Sequence, residues 1–439
     1  MSTLDTIVIG GGLIGVAIAN ELAMRGQTVE LLEAREGIAL ETSYANGGLM
    51  TPSMTDPWNS PGVINHLLAS LFDPNSAMKV RISALPSLLT WGIKFLRSSR
   101  AAPHWNATLA NYALASYSIR VTRELRERLS LQYEVSTVGT LKVFRSRVAM
   151  EGPVAIARKL AEHGLRYRLL DREATLDLES QLAPIGNHII GSLHFPDDEV
   201  GDARLFCLAL VQKFLNAGGK VRAGTSVERI ETGRSGLLGI RANGALVKCQ
   251  RVVVAAGNSS ARLCRPLGIS LPIRPAKGYS LTLYSPDDRA VWPHIAVVDD
   301  AMHAAVVPLG SRLRIVGTAE FAGDDYVVRP ERVDNLLHLL EALYPRVAAS
   351  VDRRSVQTWT GLRPMSADGV PFVGATHVRG VYLNAGHGHL GWTLAAGSAR
   401  LLADLMLGVP PEIDSRPYLP MRNLGVRGGE LLSRPVNSA

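Results

Sequence analysis

Short unbroken apolar runs alternate with longer helical stretches along this chain, and glycines punctuate the joins. Residues 6–9 are an apolar run that stops at Gly10-Gly11-Gly12. A run this short, closed by glycine, predicts a buried strand. The mainly apolar, proline-free residues 16–25 predict a helix, and residues 28–32 predict a second strand ending at the acid Glu33. Residues 1–50 therefore read as a first βαβ-like unit. Residues 51–66, with Pro52, Pro57, Pro61 and Gly62, read as a loop. Residues 67–130 read as helical, with apolar stretches at 67–72 and 85–96. Residues 133–144 alternate like a strand pair around Gly139, and 154–163 return to a helical pattern.

The second half repeats this logic. A helix is predicted over 205–217, closed by Gly218-Gly219, and strands over 220–223, 225–230 and 239–242. Residues 251–255 (RVVVA) read as a buried strand running into Ala256-Gly257. Residues 270–325 are strand-rich, 330–343 helical, and 381–384 a last buried strand. Glycines at 386–391 then lead into a helix over 392–407. Beyond about residue 420 the chain turns rich in Pro, Arg and Gly, and residues 419–439 are expected to be a flexible tail. No internal repeat interrupts the pattern.

Composition adds bounds. A chain of 439 residues, 46% hydrophobic and 20% charged, is long enough for two cores. No apolar run reaches the roughly 18–20 residues of a membrane span. The apolar run at residue 6 leaves no room for a signal peptide, so a cytoplasmic setting is expected. Cys207, Cys249 and Cys264 lie far apart without metal-ligand spacing, which fits a reducing compartment and no metal. The net charge of +8 is scattered rather than clustered. That argues against nucleic acid and leaves an anionic membrane surface open.

The most informative chemistry lies in IVIGGGLIG, residues 7–15, with Glu33 beyond it. Gly10, Gly12 and Gly15 fit G-x-G-x-x-G between a predicted strand and helix. Gly10 suits the tight turn, Gly12 lets a pyrophosphate approach the backbone, and Gly15 lets helix and strand pack closely. Leu13 and Ile14 open the helix, whose free N–H groups favour an anion. Glu33 can accept hydrogen bonds from both hydroxyls of a ribose, with Ala34 and Arg35 beside it. The motif indicates a dinucleotide without separating NAD from FAD.

Further segments carry a family resemblance: ETSYANGG (41–48), DPWNSPGV (56–63), GTLKVFR (139–145), PDDEVGD (196–202), KGYSLTL (277–283), TGLRPMSADGVPFVG (360–374) and NAGHGHLGWTLAAGSARLLADL (384–405). With VVVAAG ending at Gly257, the chain resembles the FAD-dependent D-amino-acid oxidase superfamily over nearly its whole length to about residue 418. It is most similar to the flavin subunits of bacterial D-amino acid dehydrogenases. The resemblance implies an α/β protein with a discontinuous Rossmann-like FAD-binding domain (1–60, 195–268 and 350–418). It also implies a sheet-containing substrate domain with helical cover (61–194 and 269–349). FAD is expected to be held noncovalently, since the three cysteines match no attachment position.

The resemblance assigns residues as well. Thr42 and Ser43 are expected at the phosphates, and Asn46, Gly47, Gly48 and Leu49 along the flavin. Val227 is expected at the adenine, and Ala256 and Gly257 at the adenosine end. Gly388, His389, Leu390, Gly391, Trp392 and Thr393 would offer helix N-terminal donors where charge gathers on reduced flavin. Arg363 is expected to grip the substrate α-carboxylate with its planar fork. Tyr279 and His389 complete the expected catalytic set, and Met50 and Thr51 the side-chain pocket.

The implied reaction is hydride transfer from a D-amino acid to flavin N5, giving an imino acid that hydrolyses to a 2-oxo acid and ammonia. Electrons would pass to a quinone or other respiratory-chain acceptor. Tyr44, Gly47, Leu49-Met50 and His389 depart from the dehydrogenase pattern, which keeps D-proline or D-hydroxyproline as an alternative substrate. An oxygen-using oxidase is a rival, disfavoured because no lysine stands at 314–317. An electron-transfer subunit would need no carboxylate clamp, and an NAD enzyme no GHGHLGW. Residues 51–97, with Met54, Trp58 and the apolar helices, are a candidate peripheral membrane contact. That would place the protein at the cytoplasmic face of the inner membrane.

Overall fold

A computed structural model describes residues 4–64, 78–284 and 291–422. The six-stranded nucleotide sheet is centred on strand Leu4–Ile9. On one side stand Cys249–Val254, Val381–Ala385 and Phe372–Ala375; on the other, Val29–Leu32 and Lys220–Arg222. All neighbours are parallel except the edge pair Phe372–Ala375 with Val381–Ala385.

Strand alternation divides the core. Val8 and Val253 face a layer of helices, Leu13–Met24, Ala101–Leu129, Ala203–Asn216 and Gly391–Leu407. Ile7, Ile9, Val252 and Val254 face the three-stranded sheet that contains Val227–Gly233 and Gly236–Ala242. Both faces are covered, as a largely parallel sheet requires.

The second sheet has nine strands. Its path runs Gln357–Ser366, Ile273–Tyr284, Arg312–Phe321, Ala304–Leu309, Ala296–Asp299, Thr140–Phe144, Gly191–Phe195 and Arg168–Asp171, with Met78–Val80 added to Arg312–Phe321. Helix Pro330–Leu343 packs its leucines on one face. Strand Gln357–Ser366 is hydrogen-bonded along its length to Ile273–Tyr284, so it lies in this sheet and not with the nucleotide half as the expected boundary at 350 had it.

Local expectations are adjusted in several places. Only Thr140–Phe144 of the expected strand pair is a strand; Ser136 makes a single bridge to Val200. The next helix spans Arg147–Ala161. The apolar stretch 67–72 lies outside the described residues, while 85–96 falls within helix Leu85–Ser98. The expected tail is anchored at its start: Arg422 pairs with Asp368 at 3.0 Å and bonds the Val370 carbonyl.

Candidate active site

A cavity of about 630 Å³ runs between the two sheets, from the glycine turn at residue 10 to Arg363. At its first end Gly10 has φ +111°, and a Cβ there would stand 2.5 Å from the Ala255 carbonyl oxygen. Only glycine lets these two strand ends meet. Gly15 lies against Gly10 itself, the close helix–strand packing expected of the motif's third glycine. Gly12 differs. The nearest atom to a Cβ at Gly12 is Ser43 Oγ, 3.5 Å away, and the residue faces the cavity. The protein leaves this position bare without crowding it, so the space suits a ligand.

Helix Leu13–Met24 begins there with no side-chain cap and no acid in its first turn. Leu13 N–H donates to Ser43 Oγ at 3.0 Å. Glu33 is buried, and its carboxylate accepts from Gly11 N–H at 2.6 Å and Arg35 N–H at 2.7 Å. Ala34, Thr225, Val227, Ala256, Gly257 and Asn258 line the same end.

The segment after Thr42 is threaded between the sheets. Thr42 Oγ1 and Asn258 Nδ2 both donate to the Leu362 carbonyl, at 2.8 and 2.9 Å, which ties the start of the Arg363 segment to the nucleotide side. Arg314 donates to the Asn46 carbonyl at 2.7 Å, Ser280 to that of Ala45 at 2.8 Å, and Asn46 Oδ1 accepts from Gly48 N–H. Leu49–Met50 is extended, so the two side chains part: Leu49 lines the cavity and Met50, 1% exposed, enters the helical core. Met50 is therefore not a pocket residue. Thr51 does line the cavity, and its N–H donates to Thr393 Oγ1 at 3.1 Å. Thr393 acts as this tether and, like Gly15, is not on the cavity wall.

The far end gathers Arg363, Trp58, Met54, His387, Gly388 and His389. Arg363 is half-buried, and its Nη1 reaches the Thr318 carbonyl at a long 3.4 Å. No ion pair engages it among the described residues; Asp368 is bonded to Arg422 instead. Burial without an acid pushes its pKa down to about 10, so it stays cationic at neutral pH. His389 stacks on Trp58, centroids 5.2 Å apart. Burial pushes His389 down to about 4, with Arg363 adding to the effect and Asp56 and the Met54 backbone opposing it. His387 bonds Ser398 Oγ at 3.1 Å and is pushed to about 3, again by burial. Both rings are neutral near pH 7, which suits packing and cavity walls.

Two expectations are corrected here. Tyr279 borders the cavity, but its hydroxyl donates to Glu320 Oε2 at 2.7 Å, and Glu320 is further held by Arg332 and Arg81. The cause is register. Ala276 pairs with Arg363, so Ala276, Gly278 and Ser280 share its face, and Tyr279 points toward helix Pro330–Leu343. Its phenol is committed to that network and is not available to a substrate. Trp58 and Met54, which belong to the candidate membrane-contact stretch, turn into the cavity. The loop that carries them is latched by buried Asp198, which accepts from Ser53 Oγ and Thr140 Oγ1, both at 2.6 Å. Asn258 and Trp58 were not expected in the site; no periodicity marks a lone residue in a loop.

Comparison with known proteins follows the same lines. Residues 5–405 match the family described as "FAD dependent oxidoreductase" (DAO). The chain is 37% identical over 413 residues to a D-amino acid dehydrogenase of Methylobacterium radiotolerans, covering 94% of this chain and 98% of that one. It is 34% identical over 411 residues to one of Bradyrhizobium diazoefficiens, covering 94% and 97%. Glycine oxidase from Geobacillus kaustophilus superposes with a TM-score of 0.75 at 24% identity, covering 97% of this chain and all of that one (100%). L-proline dehydrogenase from P. horikoshii gives 0.74 at 18%, covering 96% and 98%. These two structures speak to the fold alone.

Proposed function

We propose, on the premise that the chain belongs to the DAO family of FAD-dependent oxidoreductases, that it is a D-amino acid dehydrogenase. It oxidises D-amino acids to 2-oxo acids and ammonia. The observation that carries this reading is Arg363, a cation without an acid partner among the described residues, at the end of a dinucleotide-sized groove. FAD, when bound, supplies the two-electron acceptor for the substrate's Cα hydrogen. The chain's residues fit it: Gly12 leaves the cradle a Cβ would fill, the helix start, with no acid in its first turn, suits an anion, and Glu33 is presented for a ribose. All three cysteines are buried and none lines the cavity, in keeping with noncovalent binding.

Arg363 then pins the α-carboxylate, and the fixed carboxylate leaves one hand of the substrate with its hydrogen toward the flavin. Trp58, Met54 and the neutral His389 bound the side-chain space and keep it free of a second charge. Electrons go to a quinone or another respiratory-chain acceptor. The test is anaerobic: the purified protein should be yellow, and D-alanine or D-proline should bleach it while the L-forms do not. A quinone or dye should restore the colour faster than oxygen does, and acid should release free FAD. Peroxide formed as fast as dye is reduced would make it an oxidase instead.

The acceptor reading has a surface to go with it. Among the described residues no helix is long and apolar enough to cross a membrane. Helix Leu85–Ser98 buries Trp91 and Phe95, yet Leu85, Leu89, Ile93 and Leu96 stand in water, with Ile82 80% exposed beside them. Residues 74–123 contain no Asp or Glu, while Lys94, Arg97 and Arg100 flank the ridge. An apolar ridge rimmed by cations suits the surface of an anionic bilayer at the cytoplasmic face. The protein should float with phosphatidylglycerol-containing vesicles at low salt. The double substitution Leu89→Glu, Ile93→Glu should abolish flotation and spare dye-linked activity. An intact protein that stays at the bottom of the gradient would rule the contact out.

A further inference from the structure

Arg363 poses a physical problem that its proposed role as carboxylate anchor does not solve. A guanidinium on a flexible stem, with no acid to hold it among the described residues, has many places to point. Three surroundings limit it. Below it lies Gly278, in mid-strand. A Cβ at Gly278 would stand 2.5 Å from Arg363 Nη2 and closer still to Cζ and Nη1. Strand interiors disfavour glycine, and one here marks a close approach. Beside it lies Trp58, with Arg363 Cζ 5.5 Å from the ring centroid, within cation–π range. Trp58 is fixed in turn by stacking on His389 at an interplanar angle of 19°.

The third is the Thr318 carbonyl. Pairing between the strands slips between Lys277 and Tyr279, which lie opposite Glu320 and Gly317, so a bulge falls at Thr318. Thr318 has φ +55°, a conformation that β-branched residues avoid. The bulge faces Gly278 across the ladder, and the Thr318 carbonyl meets Arg363 Nη1. Bulges beside sites of chemistry re-aim backbone and side chains in this way.

We propose that Gly278 and Trp58 are the positioning residues of Arg363, forming a slot whose depth the Thr318 carbonyl sets. The slot rests on the reading of Arg363 as the carboxylate anchor. It aligns the guanidinium fork with the cavity before substrate arrives. Substrates then meet a pre-set fork, and the slot governs carboxylate affinity.

The test uses FAD-loaded protein and propionate, a carboxylate that is not oxidised, titrated calorimetrically. Gly278→Ala fills the floor and should weaken propionate at least tenfold with FAD stoichiometry unchanged. Trp58→Ala should do the same, and Trp58→Phe, which keeps a flat ring, should recover most of the loss. KM for D-alanine should rise in parallel, with a smaller change in kcat. Wild-type propionate affinity in either folded, FAD-loaded variant overturns the slot. Arg363→Ala separates the two ideas: if it also binds propionate normally, the anchor reading itself is wrong. If Gly278→Ala does not fold, the tryptophan pair decides, and a Trp58→Phe no better than Trp58→Ala overturns the slot.

Discussion

Alanine in place of Arg363 is expected to leave fold and FAD content intact, raise KM for D-alanine at least about tenfold and lower kcat as well. The loss is that of a charge-assisted, two-pronged hydrogen bond, worth roughly 1.5–3 kcal/mol. In most proteins, removing a half-buried arginine strands the acid it served. Here Asp368 belongs to Arg422, and Glu320 to Arg332 and Arg81, so among the described residues no acid is stranded by the change. The melting temperature should therefore hold or rise, while catalysis falls. Arg363→Lys should recover only part of the loss, because an ammonium offers a point charge and not a planar fork. Steady-state kinetics beside a melting curve and a flavin spectrum make the check. Unchanged kinetics in FAD-loaded Arg363→Ala would remove the residue from the site.

The second large effect contrasts two glycines three residues apart. In Gly15→Ala the new methyl collides with the Gly10 carbonyl group, its carbon 3.0 Å away and its oxygen nearer. Both are backbone, so the helix must lift off the strand. Overpacking of this kind costs about 1–3 kcal/mol or more, and FAD binding should be lost together with stability. Gly12→Ala meets only Ser43 Oγ at 3.5 Å, and Gly12 already has an ordinary φ of −77°. The apoprotein should melt near the wild-type temperature. Its methyl nevertheless occupies the cavity side of the turn, where a pyrophosphate must come close to the backbone. FAD stoichiometry should drop sharply in this variant alone. A Gly12→Ala protein purified with a full complement of FAD would mean the phosphates lie elsewhere.

How far the sequence carries the reader depends on whether a signal is local. The glycine turn, the first helix and Glu33 are set by neighbours in the chain, and their pattern is legible there. The motif around Arg363 singles it out as a candidate, and the structure puts it on the cavity wall. Which face a residue occupies is another matter. Tyr279 and Ser280 are adjacent, and only the register against Arg363 decides that Ser280 shares its face and Tyr279 does not. Met50 was misplaced for the same reason: extended chain sends Leu49 and Met50 opposite ways. Trp58 lacked any periodic context, so its inward turn depends on a latch to Asp198, far along the chain. Gly278, alone in the strand KGYSLTL, marks a close approach in the sequence itself.

The order of strands in the nucleotide sheet also sets a timetable. The central strand Leu4–Ile9 leaves the ribosome long before its partner Cys249–Val254, and Val381–Ala385 follows later still. At translation rates of about 5–20 residues per second, the first strand waits roughly 12–50 s for that partner. The cavity is lined by residues from Ile9 to Trp392, so its walls stay incomplete until nearly the whole described chain exists. Contacts this distant in sequence close slowly. Cofactor capture in this cavity thus waits until Trp392 has left the ribosome.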